Sequence, residues 1–425
     1  MRKPELLCPA GNLTKMKTAF RYGADAVYIG GNAFGLRARA DNFTDRELGE
    51  AVAYAHRLNK KVYVTMNILP RNDDLKPMAR YAEELYKIGA DAVIVSDLGA
   101  VQLVRETVPD LKIHVSTQAN NLNWRTCKAW LDMGCERINL ARELSLTEIA
   151  QIRAALQKDG IDCDSCIRLE AFVHGAMCMA YSGRCMLSDY MVSRSSNRGD
   201  CAQPCRWNYH LVEEQRPGEY MPLYENQRGT FLFNSKDLCM LEYLPKIIEA
   251  GIGSLKIEGR MKSEYYTGIT VSAYRRAIDA YYRDPGGYPE NRELLSELLR
   301  ELSMVSHRDY TTGFYLGKRG EQVYSTSSYR RNSDFIGITS DCRQRKQGQW
   351  EICVSQRGNF KLGDTLDFLI PGEPAASQRI ERMLSDSGEE ITAAPHAMMD
   401  VWVQTGFFVP KGTLVRRVKA EFLDV

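Results

Sequence analysis

Along the first 280 residues, short apolar runs rich in β-branched residues alternate with longer stretches whose apolar positions recur at helical spacing. The runs fall at 5–8, 24–30, 61–67, 90–97, 112–118, 136–142, 168–175 and 254–260. Several are apolar on both faces, as a strand covered on both sides requires. Helical patterns lie between them, for example over 45–58, 76–88, 123–133 and 241–250. Gly23, Gly89, Gly134 and Gly251 stand just beyond such patterns, where a residue without a Cβ can end a helix in the left-handed conformation. YGADAV (22–27) and IGADAV (88–93) nearly coincide, and AGIGSL (250–255) echoes them, so one βα module is reused. Eight strands alternating with helices predict an α/β fold, a TIM-like (β/α)8 barrel over 1–283. An open doubly wound sheet is the alternative, weakened because no G-x-G-x-x-G follows the first run.

Residues 176–230 break this rhythm after the seventh run, and in such a barrel an insertion there emerges on the C-terminal face, where chemistry is carried. Residues 284–330 read as a helical linker, with a Pro-Gly-Gly turn at 285–287 and a helix near 291–302. From 331 the period changes to short alternating runs at 335–339, 350–355, 365–370, 379–384, 401–404 and 414–418. Turn residues separate them, which predicts a C-terminal antiparallel β-barrel domain over 331–425.

Composition narrows the class. Of 425 residues 44% are apolar and 26% charged, values of an ordinary globular protein. Lys and Arg number 56 against 54 Asp and Glu, so bulk charge does not drive the chain onto nucleic acid and any RNA contact must use a local patch. No run approaches the ~20 apolar residues of a membrane span, and no signal peptide is read at the N-terminus. A cytoplasmic protein with reduced thiols and no membrane contact is expected, since twelve cysteines spread over this length do not make a secreted disulfide scaffold.

The densest chemistry is Cys178, Cys185, Cys201 and Cys205, four thiols within 28 residues spaced x6, x15 and x3. Four thiolates complete a zinc tetrahedron or hold an iron–sulfur cluster, and the spacing leaves both open. Cys163 and Cys166 form a C-x-x-C pair but sit in a polar linker and are read as ordinary thiols. Cys239 is a reserve ligand, and Cys8 a packed thiol. His174, four residues before Cys178, allows a Cys–His nucleophile pair, but that use would take Cys178 from the cluster. Neither H-E-x-x-H nor G-x-S-x-G occurs. Polar residues gather at the predicted strand ends, and Glu170, Lys256 and Glu258 lie inside apolar strands, where a charge needs a partner. Basic and aromatic residues interleave at 205–210, 265–283, 314–320 and 324–331, a pattern that suits unpaired bases but equally an amphipathic surface.

PELLCPAGN (4–12), LRAR (36–39), VSTQAN (115–120), ARELSL (141–146), HGAMCMAYSGRCMLS (174–188), NSKDL (234–238) and SLKIEGRMKS (254–263) resemble the collagenase-like peptidase family U-32, most closely its tRNA hydroxylation members. The resemblance implies formation of 5-hydroxyuridine at the wobble position of a tRNA anticodon loop. Prephenate or a similar small carboxylate would be required, and an oxygen-sensitive iron–sulfur (4Fe-4S) cluster would sit on Cys178, Cys185, Cys201 and Cys205, with zinc as the alternative. A related sister subunit is a further partner it admits. The peptidase activity in the family's name is not carried over. Under this hypothesis Arg37, Arg39, Arg142, Lys236 and Arg260 would grip carboxylates or phosphates. Glu170 and His174 would transfer protons beside the cluster loop.

Overall fold

A computed structural model describes residues 2–36, 42–177, 184–207, 225–226, 229–230, 236–317, 330–346 and 348–422, and counts below are of those residues. All eight apolar runs are strands: β1 (Glu5–Pro9), β2 (Ala26–Ile29), β3 (Lys61–Met66), β4 (Ala92–Val95), β5 (Ile113–Val115), β6 (Arg137–Asn139), β7 (Leu169–Ala176) and, after a short flanking strand β8 (Asp237–Cys239), β9 (Ser254–Ile257). β1 to β7 pair in chain order and in parallel. β9 pairs with both β7 and β1 and closes the barrel. Gly23 and Gly89 adopt φ of 107° and 82°, the left-handed helix ends expected of the repeated module.

Inside the ring, Leu7, Ala26, Tyr28, Tyr63, Ala92 and Ile94 pack together. Beside them lies a polar network: Arg137 reaches Glu5 at 2.6 Å and Glu170 at 3.1 Å, and the Tyr63 hydroxyl donates to Glu5. Outside run α1 (Leu13–Arg21), α2 (Asp45–Arg57), α3 (Asn72–Lys87), α4 (Leu98–Thr107), α5 (Trp124–Asp132) and α6 (Leu146–Lys158). Capping boxes at Thr44/Glu47 and Ser145/Glu148 start α2 and α6 by satisfying exposed N–H groups. The insertion carries a short helix, α7 (Leu187–Val192). After α8 (Leu244–Glu249), α9 (Glu264–Arg283) follows β9, and α10 (Arg292–Met304) leads towards β10 (Tyr310–Thr311). β8 pairs antiparallel with the end of β7 and parallel with β10.

The C-terminal unit is one seven-stranded antiparallel sheet, a half-barrel. Its strands are β11 (Ser333–Lys346), β12 (Gln349–Gln356), β13 (Thr365–Leu369), β14 (Ala376–Arg379), β15 (Met383–Ser385), β16 (Asp400–Thr405) and β17 (Leu414–Val418). The single run expected at 379–384 divides into β14 and β15, which lie on opposite edges of that sheet. Its own apolar core includes Ile336, Phe360, Phe368 and Val415. The two units are joined by buried polar contacts. The Tyr22 hydroxyl donates to Leu369 O at 2.6 Å and accepts from Leu414 N at 2.9 Å. Arg416 bridges Glu301 (2.7 Å) and Asp367 (2.9 Å). Tyr265 stacks on Phe335 at 5.3 Å.

Candidate functional site

A cavity of about 1240 Å³ opens at the C-terminal ends of the barrel strands. Its walls come from the strand ends, the cysteine-rich insertion and the rim of the half-barrel, the last through Arg331, Phe335, Asn359 and Arg417. It exceeds the usual ~300–1,000 Å³ of a small-ligand pocket, so it has room for more than one group.

Cys185, Cys201 and Cys205 all line this cavity and are half-buried. Cys178 lies outside the described residues, and Met177, just before it, lines the same cavity. The insertion is fixed to the barrel: Arg198 pairs with Asp74 of α3 at 2.8 Å, and Leu69 N donates to Asn197 O. Asn197 accepts from Cys185 N at 3.3 Å, and Ser196 donates to the Cys185 carbonyl. Gln203 N points at the Cys201 sulfur at 3.3 Å. Backbone N–H groups aimed at sulfur are what a thiolate-held centre uses to stabilise negative charge. Among the described residues, Cys185, Cys201 and Cys205 included, no three His, Cys, Asp or Glu side chains are grouped so as to hold a metal ion. Three thiols on one cavity supply the soft donor type of a cysteine-ligated centre, although they do not converge on a single point in this structure.

The other cysteines behave as packed or peripheral thiols. Burial pushes Cys8 well above its usual range and Cys239 and Cys163 up to about 11. Cys239 faces Tyr274 beside β7 and does not line the cavity. Neither Cys163 nor the exposed Cys166 lines it.

The remaining expected residues separate. Arg142 lies over the Phe172 ring at 3.8 Å, donates to Ala176 O at 2.8 Å and sits 3.7 Å from Glu258. Arg260 lines the cavity, donating to Thr65 at 3.2 Å and Asn42 at 3.0 Å. Its guanidinium fills the space where a Cβ on Gly30 would stand. Lys236 is half-buried ahead of β8 and does not line the cavity. Arg37 and Arg39 lie outside the described residues, although Leu36 beside them lines the cavity.

The proton-transfer expectation for Glu170 and His174 does not match their positions, since neither lines the cavity. Glu170 accepts from Lys256 at 2.8 Å and from Arg137 and Ser254 at 3.1 Å each. Burial alone would raise its pKa; Lys256 and Arg137 outweigh burial and hold it down to about 2, so it is a fixed carboxylate. His174 sits outside the barrel wall among Tyr310 (5.4 Å), Tyr274 (5.6 Å) and Tyr266 (6.1 Å). Burial lowers it to about 3, so it is neutral there. The aromatic–basic stretch at 265–283 is mostly a core helix face: Tyr265, Tyr266 and Tyr274 are buried. Sequence reasoning missed Asn139 and Phe172, inward-facing members of β6 and β7 that line the cavity. Strict alternation from Arg137 and Glu170 could have found both.

Two family profiles match the chain, Peptidase family U32 over residues 11–325 and Peptidase family U32 C-terminal domain over 331–416. Among characterised proteins the chain is 40% identical over 402 residues to tRNA hydroxylation protein P1 of Bacillus subtilis, covering 94% of this chain and 91% of that one. It is 38% identical to tRNA hydroxylation protein P of Escherichia coli, covering 95% and 94%. It is 36% identical to the 23S rRNA 5-hydroxycytidine C2501 synthase of Escherichia coli over 75% of this chain and 46% of that one.

Proposed function

The chain belongs to peptidase family U32, and from that premise we propose that it is an RNA-hydroxylating enzyme acting on tRNA. The observation that carries this reading is the 40% identity, over 94% of the chain, to a protein of tRNA hydroxylation. The product is 5-hydroxyuridine at the wobble position. Prephenate or a similar small carboxylate is the required metabolite, with Arg260 at the cavity as its contact. An iron–sulfur cluster is held by Cys185, Cys201 and Cys205 together with Cys178, with zinc the alternative occupant. Such a cluster would supply one-electron redox chemistry at the cavity. The chain's own part is to enclose the target base, orient it and limit water.

An anticodon-loop uridine is already unpaired, so bringing it into a cavity of this size costs less than extracting a duplex base. A peptidase reading has less support: His174, the imidazole nearest in sequence to the thiols, lies outside the cavity. Mass spectrometry of tRNA nucleosides from a strain lacking the gene, and from the same strain carrying it on a plasmid, tests the proposal. Loss and restoration of 5-hydroxyuridine derivatives is expected. Unchanged nucleosides in a background without a second hydroxylation route would reject it.

A further inference from the structure

The cavity floor holds three polar groups whose hydrogen-bonding capacity the protein leaves unused. Lys256, on β9, is 3% exposed and lines the cavity. An ammonium has three donors. Among the described residues this one has a single acceptor, Glu170 at 2.8 Å, and otherwise meets only the rings of Tyr28 (4.7 Å) and Phe172 (5.4 Å). Asn139, on β6, is 2% exposed and lines the cavity, and its Oδ1 has no partner among the described residues. The Arg142 Nε is likewise buried and unpaired, while the same guanidinium is engaged at Ala176 and Phe172. Buried polar atoms without partners are rare, and two of them, on β6 and in the turn that follows it, beside an ammonium with a single acceptor, call for a ligand in this cavity.

Charge decides which ligand. Lys256 is matched by Glu170 at 2.8 Å and Arg142 faces Glu258 at 3.7 Å, so the floor is electrically balanced and suits a neutral group. A carboxylate would add a negative charge to a floor whose two cations already face carboxylates. A neutral imide has the complementary edge: an N–H flanked by two carbonyl oxygens. We propose that the cavity floor reads uracil, with Asn139 Oδ1 accepting the ring N3–H and Lys256 and Arg142 donating to the two flanking carbonyl oxygens. Cytosine presents an amino donor and a bare ring nitrogen on this edge, which leaves a buried donor facing a donor and an acceptor facing an acceptor. The inference rests on the tRNA reading above and adds the element that selects the base.

The test uses labelled anticodon stem–loop RNAs that differ only in carrying uridine, cytidine or 3-methyluridine at the target position. Binding is measured by fluorescence anisotropy with the full chain. The wild type is expected to bind the cytidine and 3-methyluridine forms roughly tenfold or more weakly than the uridine form. Asn139→Ala, with Asn139→Ser as a milder variant, should bind uridine and 3-methyluridine within about threefold of each other. Equal wild-type affinity for all three loops, no wild-type binding, or discrimination that survives both variants would overturn the inference. The nucleoside analysis above decides the parent reading separately, so the two can fail independently.

Discussion

Glu170 and Lys256 meet at 2.8 Å inside the barrel, on neighbouring strands, with both side chains almost wholly enclosed. The pair forms the base on which the cavity stands, because Glu170 is held from the other side by Arg137 and Ser254.

Removing one member leaves the other as a buried, uncompensated charge. Lys256→Met or Glu170→Leu should each destabilise the protein by about 3–5 kcal/mol. The double variant Glu170→Leu/Lys256→Met should lose less than the sum, because the residues are in contact. Urea unfolding midpoints of the three proteins measure this, and additive losses would contradict the coupling.

Acid should weaken the fold in two steps. Burial lowers His174 to about 3 and His114 to about 4, against 6.5 for the free side chain. Below pH 6.5 the unfolded chain therefore binds protons that the native one does not, and stability falls as pH falls towards 4. Glu170, near 2 when folded against about 4.3 unfolded, contributes stability that is complete above that range and is lost as pH drops towards 2. His174→Phe should flatten the urea midpoint between pH 6.5 and 4 relative to wild type. An unchanged slope would show that His174 is not among the groups responsible.

Bound metal should follow the cavity thiols. Under the cluster reading, Cys185→Ala, Cys201→Ala and Cys205→Ala each strip most of the iron and sulfide from anaerobically purified protein. Cys166→Ala and Cys342→Ala, away from the cavity, leave the content unchanged. Elemental analysis for iron and zinc, with an absorption spectrum, reads the result and separates the two metals.

Gly30→Ala places a methyl group where the Arg260 guanidinium lies. Hydroxylated nucleoside in a complemented strain should fall several-fold, while the thermal midpoint changes by only a few degrees. A silent substitution would show that Arg260 can move without consequence.

The barrel was readable because its strands are covered on both faces and announce themselves as apolar runs. Its internal pairings were not. Glu170 stood out as a charge in an apolar run, but Arg137 is 33 positions earlier and became its partner only through the adjacency of β6 and β7. The thiols were legible as a local excess, although their spacing could not say which centre they hold. His174 was expected at the site because it stands four residues before Cys178, and nearness along the chain did not become nearness to the cavity. Alternation along β7 puts it on the face of Glu170 and Phe172. However, Phe172 and His174 stand opposite the consecutive residues Lys256 and Ile257, an irregularity that turns the imidazole out of the barrel. The cavity wall supplied by Arg331, Asn359 and Arg417 was invisible because it depends on how the half-barrel docks.

The phenol of Tyr22 bonds to residues 369 and 414, which lie 347 and 392 positions downstream. During synthesis the first helical unit leaves the ribosome long before either acceptor or donor exists, so that oxygen must stay hydrated until almost the whole polypeptide has emerged. Translation order thus makes this junction one of the last parts of the molecule to mature. A premature stop near the 3′ end of the message would release a chain with every barrel strand but without the outer wall of its chamber.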